Sequence, residues 1–379
     1  MSDTPRKIKV LHVYRTYFPD TQGGAQEAIR QICRNSTDHD VESRVFTPSR
    51  HPKNVLVDET LVVQVKLNFE IASCGFCFTG LKEFKRQVDW ADVVHYHFPW
   101  PFADIMHLYA SHNKPCIMTY HSDIVRQQGL LSIYRPLMTG FLGSMDHIVA
   151  TSSNYQLSSN VLEMYEDKVS TIPLGIDEDL YPDLSGEILS ECQEKYGEGF
   201  FFFVGVLRYY KGLHLLIDAC KDARFKVVIA GAGPLEKELK AQVSALGLSN
   251  VKFAGRISDE EKIAMYHLCH GVVFSSHVRS EAFGVTLVEG LMCSKPLITA
   301  ETGTGTSFVN SHKETGLVVK ANDSAALHDA MTTLIDDPDM ARNMGRRGRE
   351  RYELLLTGKK MGASYAHLYR ELHANGRKP

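Results

Sequence analysis

The sequence predicts an α/β protein made of two doubly wound, Rossmann-like domains, each a parallel sheet covered by helices. Its 379 residues exceed what one hydrophobic core usually organises. Short apolar runs alternate with longer helical patterns in two successive series, the order expected of βαβ units. Between the series, from 182 to 200, Pro, Gly and charge interrupt the pattern in "PDLSGEILSECQEKYGEG". The expected division is 1–185 and 186–379, with the last helix packing back on the first domain. Ligands of such sheets bind outside the carboxyl ends of the strands, so two sets of loops would face a central cleft.

In the first series, "IKVLHVY" (8–14) reads as a buried strand, followed by a turn and the helix-like "AQEAIRQICRN". Further strands are expected at "VESRVFT" (41–47), "DVVHYH" (92–97), "CIMTYH" (116–121) and "HIVAT" (147–151). The second series opens with "GFFFFVGVL" (199–207) and continues through "FKVVIAGAG" (225–233), "NVKFAGR" (250–256), "GVVFSSH" (271–277), "KPLITAE" (295–301) and "TGLVVK" (315–320). The Arg-rich "RRGRER" (346–351) reads as a solvated helix face.

Charge is nearly balanced, 42 Lys+Arg against 45 Asp+Glu for a formal net of −3, which argues against a nucleic-acid partner. Hydrophobic content of 44% is ordinary, and no apolar run reaches the length that spans a bilayer. The N-terminal "MSDTPRKIKV" lacks the apolar core of a secretory signal, so a cytoplasmic location is expected. Cys74 and Cys77 form a lone CxxC without a second pair, more consistent with thiols in packing than with zinc.

Glycines stand at several of the expected strand ends. Gly23 and Gly24, between the first strand and its helix, could bring backbone N–H groups to an anion or simply make a βα turn. Gly231 and Gly233 make a second such turn, but Glu236 stands where a dinucleotide fingerprint needs its third glycine. After Gly205, Arg208 and Lys211 precede a helix, a pair of cations suited to a diphosphate. In "FSSHVRSEAFGVTLVEG" a strand and polar loop lead to a helix entered near Gly284, so Glu281 precedes the helix and Glu289 lies within it. Eight helical residues would span about 12 Å, too far for carboxylates that share a proton. The two glutamates are therefore expected at different parts of one extended ligand, with the free N–H groups around Phe283 to Thr286 facing negative charge between them.

Taken together, the Gly23-Gly24 loop, "TYHSD", "IPLGID", Gly205/Arg208/Lys211, "GAGP" and "EAFGVTLVEGLMCSKPLI" resemble the retaining GT-B glycosyltransferases of family four, whose E-x7-E signature would be Glu281 to Glu289. "HVYRTYFPDTQGGAQEAI" and "TAETGTGTSFVN" look like the subgroup that builds lipopolysaccharide O-antigen with GDP-activated mannose or a related sugar. The usual glycine pair and Pro-Glu after "KPLI" are replaced by "GTGTS".

The resemblance implies a GT-B fold, a nucleoside-diphosphate sugar as co-substrate, a lipid-linked oligosaccharide as acceptor, and no metal or other cofactor. Catalysis would rest on Glu281, His121, Arg208 and Lys211. The donor would be held by Gly23, Gly24, Gly205, Arg208, Lys211, Gly233, Glu281, Ala282, Phe283, Gly284, Val285, Thr286 and Glu289, with Glu281 on the hexose and Glu289 on the ribose. His95, His97, Tyr120 and His121 would contact the acceptor. Asp177-x-Asp179 has the form of a metal motif in the other large glycosyltransferase fold, but Arg208, Lys211 and helix N-termini would supply that positive charge. A transferase of the same fold using a UDP-sugar, or a sugar-nucleotide epimerase, are the alternatives. Finally, "FEIASCGFCFTGLKEFKR" (69–86) mixes aromatic and basic residues in a manner suited either to an anionic membrane surface or to a core-facing helix with a basic edge.

Overall fold

The computed structural model describes residues 6–71, 74–124 and 128–376. Met1–Pro5, part of the N-terminal reading, and Ala72 and Ser73, part of the aromatic-basic stretch, lie outside the described residues. Two compact units emerge: Met1–Gly175 with Gly358–Pro379, and Ile176–Thr357. The division thus falls after Gly175 rather than at 185/186. The stretch that looked like a linker instead holds a helix, Gly186–Tyr196, in the second unit, capped by the Ser185 hydroxyl.

The first unit contains β1 (Ile8–Val13), β2 (Val41–Ser49), β3 (Asn54–Val57), β4 (Thr60–Lys66), β5 (Phe69–Ile71), β6 (Cys74–Phe76), β7 (Val93–Phe98), β8 (Cys116–Tyr120), β9 (His147–Ala150) and β10 (Val169–Thr171). Its main sheet runs β10-β9-β8-β7-β1-β2-β4-β3, parallel except for the antiparallel β3–β4 edge. That edge hairpin turns at Asp58-Glu59, both at positive φ, without the glycine that usually marks such a turn. Strands covered on both faces read as near-continuous apolar runs, and β7 is buried at every position. The terminal helix Gly358–Asn375 packs on Gly24–Thr37. A Cβ at Gly362 would lie 2.5 Å from Asn35, so the close approach needs glycine there.

The second unit adds β11 (Phe201–Val204), β12 (Val227–Ala230), β13 (Val251–Gly255), β14 (Gly271–Phe274), β15 (Leu297–Glu301) and β16 (Gly316–Lys320). These form one parallel sheet in the order β13-β12-β11-β14-β15-β16. The chain builds outward from β11 in one direction, then returns to β11's other side with β14. This reversal opens a crevice at the carboxyl ends of β11 and β14, where doubly wound sheets bind ligands. In the first unit the same reversal occurs between β1 and β7.

Candidate active site

The loops after β11 and β14 carry the second unit's candidate groups. Gly205 follows β11 at φ 158°, and the loop continues through the exposed Arg208 to Lys211. Gly212 then adopts a left-handed φ of 64°. A side chain there would meet the Ser275 carbonyl at 2.1 Å, so glycine lets the two loops touch. Lys211 is consequently drawn in: it is 9% exposed, and its Nζ lies 4.4 Å from the centre of the Phe274 ring. Its ammonium donates to Glu281 Oε2 at 2.5 Å, and the Ser276 hydroxyl donates to the same oxygen at 3.4 Å. Sequence reasoning assigned Lys211 and Glu281 to separate parts of a ligand; the structure pairs them directly. The low-exposure ion pair is stabilised because each charge satisfies the other.

Glu281 precedes the helix Val285–Met292, which Gly284 caps at a left-handed φ of 89°. The first-turn N–H groups, including those of Val285 and Thr286, have no acceptor one turn earlier within the helix. Ala282 and Phe283 are buried beneath this turn, and Gly305 N–H donates to the Ala282 carbonyl at 2.7 Å. At the start of the "GTGTS" stretch the hydroxyl of Thr304 stands 2.9 Å from that of Thr302, just before it.

Glu289 lies in the same helix, 6% exposed, among donors that the sequence did not reveal. Tyr181 O–H and Lys262 Nζ both donate to its Oε1 at 2.9 Å, and Tyr266 O–H donates to Oε2 at 2.8 Å. Burial and the neighbouring carboxylate push the Tyr266 phenol well above its usual range. Lys262 also pairs with Asp259 at 2.9 Å; despite burial, which acts the other way, Glu289 and Asp259 raise its pKa.

Gly231 and Gly233, the second of them expected at the donor, have a packing use in the structure. A Cβ on Gly231 would fall 1.9 Å from the Gly205 carbonyl oxygen, and one on Gly233 2.5 Å from that of Leu207. These glycines let the loop after β12 lie against the loop after β11. Asp177 accepts from the Asp179 N–H at 3.2 Å, capping a short helical turn.

In the first unit, period-two alternation and strand register place histidines on one sheet face. His12 of β1 is the register partner of His95 in β7, and His97 is the partner of Thr119 in β8. His121 follows on the face of Thr119. His12 Nδ1 lies 3.1 Å from His97 Nε2, whose other nitrogen lies 3.0 Å from His121 Nε2. His95 has both nitrogens engaged, with Tyr369 Oη and Thr119 Oγ1 each at 2.7 Å, and Tyr365 Oη reaches the same threonine at 2.8 Å. Both tyrosines come from the terminal helix.

Burial lowers all four histidines: His12 to about 3, His121 to about 4, and His95 and His97 well below the ordinary value. They are neutral at physiological pH. The acceptor role expected of His95 and His97 needs correction, because both are buried and engaged with protein groups, whereas His121 keeps 8% of its surface. Tyr120 points to the opposite sheet face, where its hydroxyl donates to Asp123 Oδ1 at 2.9 Å. Nitrogens of His12, His95 and His97 cluster within 4.8 Å; both nitrogens of His95 and of His97 are hydrogen-bonded, whereas His12 Nε2 is buried without a hydrogen-bond partner. Gly23 and Gly24 begin the long helix after β1, with Gly23 at its N-cap.

The sequence announced the His12 array only faintly, as one polar residue inside an apolar buried run. Nothing local announced Tyr181 or Lys262, which reach Glu289 from 108 and 27 positions away.

Comparison with known proteins assigns the chain. Residues 22–180 match the model "Glycosyltransferase Family 4", and 187–351 match "Glycosyl transferases group 1". The chain is 48% identical over 352 residues to the Pseudomonas aeruginosa D-rhamnosyltransferase WbpZ, covering 92% of each chain. It is 44% identical over 368 residues to the Escherichia coli O-antigen chain mannosyltransferase C, covering 96% of this chain and 99% of that protein. Among solved structures, sucrose-phosphate synthase from Thermosynechococcus elongatus aligns with a TM-score of 0.81 at 20% identity, covering 98% of this chain and 100% of that one. Anabaena HepE, solved with UDP-glucose, aligns with a TM-score of 0.76 at 19% identity, covering 96% and 100%. These matches join the paired glutamates and cations at the β11–β14 crevice to one conclusion: the chain belongs to glycosyltransferase family 4 and has the GT-B fold.

Proposed function

We propose that the chain transfers a hexose, with retained anomeric configuration, from a nucleoside-diphosphate sugar to a lipid-linked saccharide in O-antigen synthesis. The Lys211–Glu281 pair at the crevice is the observation that carries the reading. One Lys211 proton is used by Glu281, leaving two for diphosphate oxygens, with Arg208 as a further cation. Glu281 would orient the hexose hydroxyls, and Glu289 would accept from the ribose. Mannose is the preferred hexose because the E. coli relative is named a mannosyltransferase, and GDP is the activating nucleotide expected from the family resemblance. D-rhamnose is the second reading, favoured by the stated activity of the Pseudomonas relative.

In the reaction, the bond from the anomeric carbon to phosphate breaks and the acceptor hydroxyl attacks on the same face. Its proton passes to the departing phosphate oxygen. Arg208, Lys211 and the helix N-terminus stabilise the developing negative charge, so no metal is required. A neutral His121 can bond a sugar hydroxyl without opposing positive charge at the anomeric carbon.

Residues 69–86, expected to be either a membrane-facing surface or a core-facing helix with a basic edge, hold more than a helix. Strands β5 and β6 form a hairpin, and the helix Leu81–Trp90 follows after a short turn. Phe69, Ile71 and Phe78 are exposed, while Phe84 is buried. With Lys82, Lys85 and Arg86 nearby in sequence, they offer apolar and cationic contacts to anionic lipid. Among the described residues, no helix is long and apolar enough to cross a membrane. Sedimentation with anionic vesicles at low salt tests the contact, and failure to co-sediment rejects it.

The functional experiment incubates the protein with GDP-mannose, GDP-D-rhamnose and UDP-sugars, with and without a lipid-linked acceptor, and determines product configuration by NMR. Acceptor-dependent transfer from GDP-mannose with retention is expected. Transfer only from a UDP-sugar rejects the donor assignment, and isomerisation without acceptor makes the protein an epimerase.

A further inference from the structure

We propose that the Tyr181 hydroxyl is a stand-in for a ribose hydroxyl on Glu289, and that it must leave when a nucleotide binds. This rests on the reading of Glu289 as the ribose carboxylate. An ionised carboxylate offers about four acceptor positions. Tyr181 and Lys262 occupy two on Oε1, and Tyr266 occupies one on Oε2. One position remains, whereas a ribose presents two neighbouring hydroxyls. The second hydroxyl can bond Glu289 only by displacing a resident donor.

Three features make Tyr181 the donor that yields. Lys262 is charged, and charge-assisted hydrogen bonds are roughly twice as strong as neutral ones. It is also held by Asp259, so its withdrawal would disturb two carboxylates. Tyr266 is fully buried on the helix Asp259–Leu268 and shares its hydroxyl between Glu289 and the Thr286 carbonyl. Tyr181 is only partly buried and lies just beyond the short turn Glu178–Leu180. The Lys262 ammonium stands 5.0 Å from the centre of the Tyr181 ring, and the Tyr181 hydroxyl is a neutral donor. It keeps Glu289 satisfied until ligand arrives, at the cost of competing with that ligand.

Calorimetry on the full chain with GDP and 2′-deoxy-GDP, and with UDP and 2′-deoxy-UDP as a second pair, tests the competition. Tyr181→Phe removes the competing hydroxyl but keeps the ring. It should tighten binding of the ribonucleotide by about 3- to 10-fold, the size of one neutral hydrogen bond. The 2′-deoxy form has one hydroxyl to place and can use the open position, so its affinity should change less than about 2-fold. Tyr181→Leu gives a second removal of the hydroxyl, with the same ordering expected. Equal gains for both forms, no gain, or weaker ribonucleotide binding overturns the proposal. Glu289→Ala separates this failure from failure of its premise: if wild-type protein binds GDP and Glu289→Ala binds it equally well, Glu289 does not hold ribose.

Discussion

The two units place polar groups at their sheets' carboxyl ends by opposite electrostatic means. In the first unit, His12, His95, His97 and His121 are packed until their charged forms are strongly disfavoured, and hydrogen bonds between neutral groups satisfy much of the array. In the second, Lys211 with Glu281, and Lys262 with Glu289, remain as ion pairs. Imidazole can shed its charge cheaply near neutral pH, whereas a lysine and a carboxylate are better kept charged beside each other. On the proposed function only His121, at the edge of the first array, is left to meet an uncharged sugar hydroxyl, while the ion pairs of the second unit lie where the charged half of a nucleotide sugar would bind.

Acid is the strongest way to break this contrast. Unfolded histidine takes up a proton near pH 6.5, but folded His12 and His121 resist until about 3 and about 4. The unfolded state therefore binds more protons through that window, and stability falls as pH drops from 6.5 toward 4. By linkage His12 and His121 each cost about 2 kcal/mol at pH 5. Asp104, pushed up to about 8 by burial, works in the opposite direction over the same range. His95 and His97 shift in the same direction as His12 and His121, so a net loss of stability is expected between pH 7 and 5. Denaturant melts across that range measure it, and a flat profile would mean that the array is charged or hydrated.

Next in size is Glu281→Ala. Turnover should fall by a factor on the order of 10² or more if its hexose contact strengthens in the transition state. Nucleoside diphosphate binding should hold steady or tighten, because Lys211 loses its competing partner. Steady-state rates and calorimetry on one preparation read both effects, and a parallel loss of affinity contradicts the division of roles.

Glu289→Ala should do the reverse, weakening nucleotide binding by roughly 10- to 100-fold through loss of charge-assisted hydrogen bonds. It also strips Lys262 of one carboxylate, so the thermal midpoint should fall. Unchanged affinity with a lowered midpoint would make Glu289 purely structural. The smallest effect is expected from chelation: with Arg208 and Lys211 meeting the diphosphate, EDTA should leave turnover nearly intact. Full loss and rescue by Mn²⁺ would instead implicate Asp177 and Asp179.

The two sites were unequally readable in the sequence. "GVVFSSHVRSEAFGVTLVEG" displayed the strand, loop, helix and both glutamates because these are local features with local periodicities. The histidines were visible singly, yet the acceptor contacts expected at His95, His97 and Tyr120 depended on which way each side chain faced. Pairing β7 with β1 and β8 set that face and turned Tyr120 away from His121. The aromatic-basic stretch, for which a core-facing helix was one of two expectations, instead begins with a strand pair, since β5 found an antiparallel partner in β6. Such pairings depend on groups apart in sequence, which propensity does not encode.

By itself, then, the sequence determined the two series of apolar strands, the glycines at their ends and the charged residues in their loops. Alternation, turn chemistry and spacing act over a few residues and can be read from them. Tertiary structure alone decided that Lys211 would meet Glu281, that Tyr181 and Lys262 would occupy Glu289, and that tyrosines of the terminal helix would cover the histidines of the first sheet. The physical reason is that a buried polar atom takes whichever complementary partner the packed fold brings within hydrogen-bond distance, and that distance does not depend on separation along the chain.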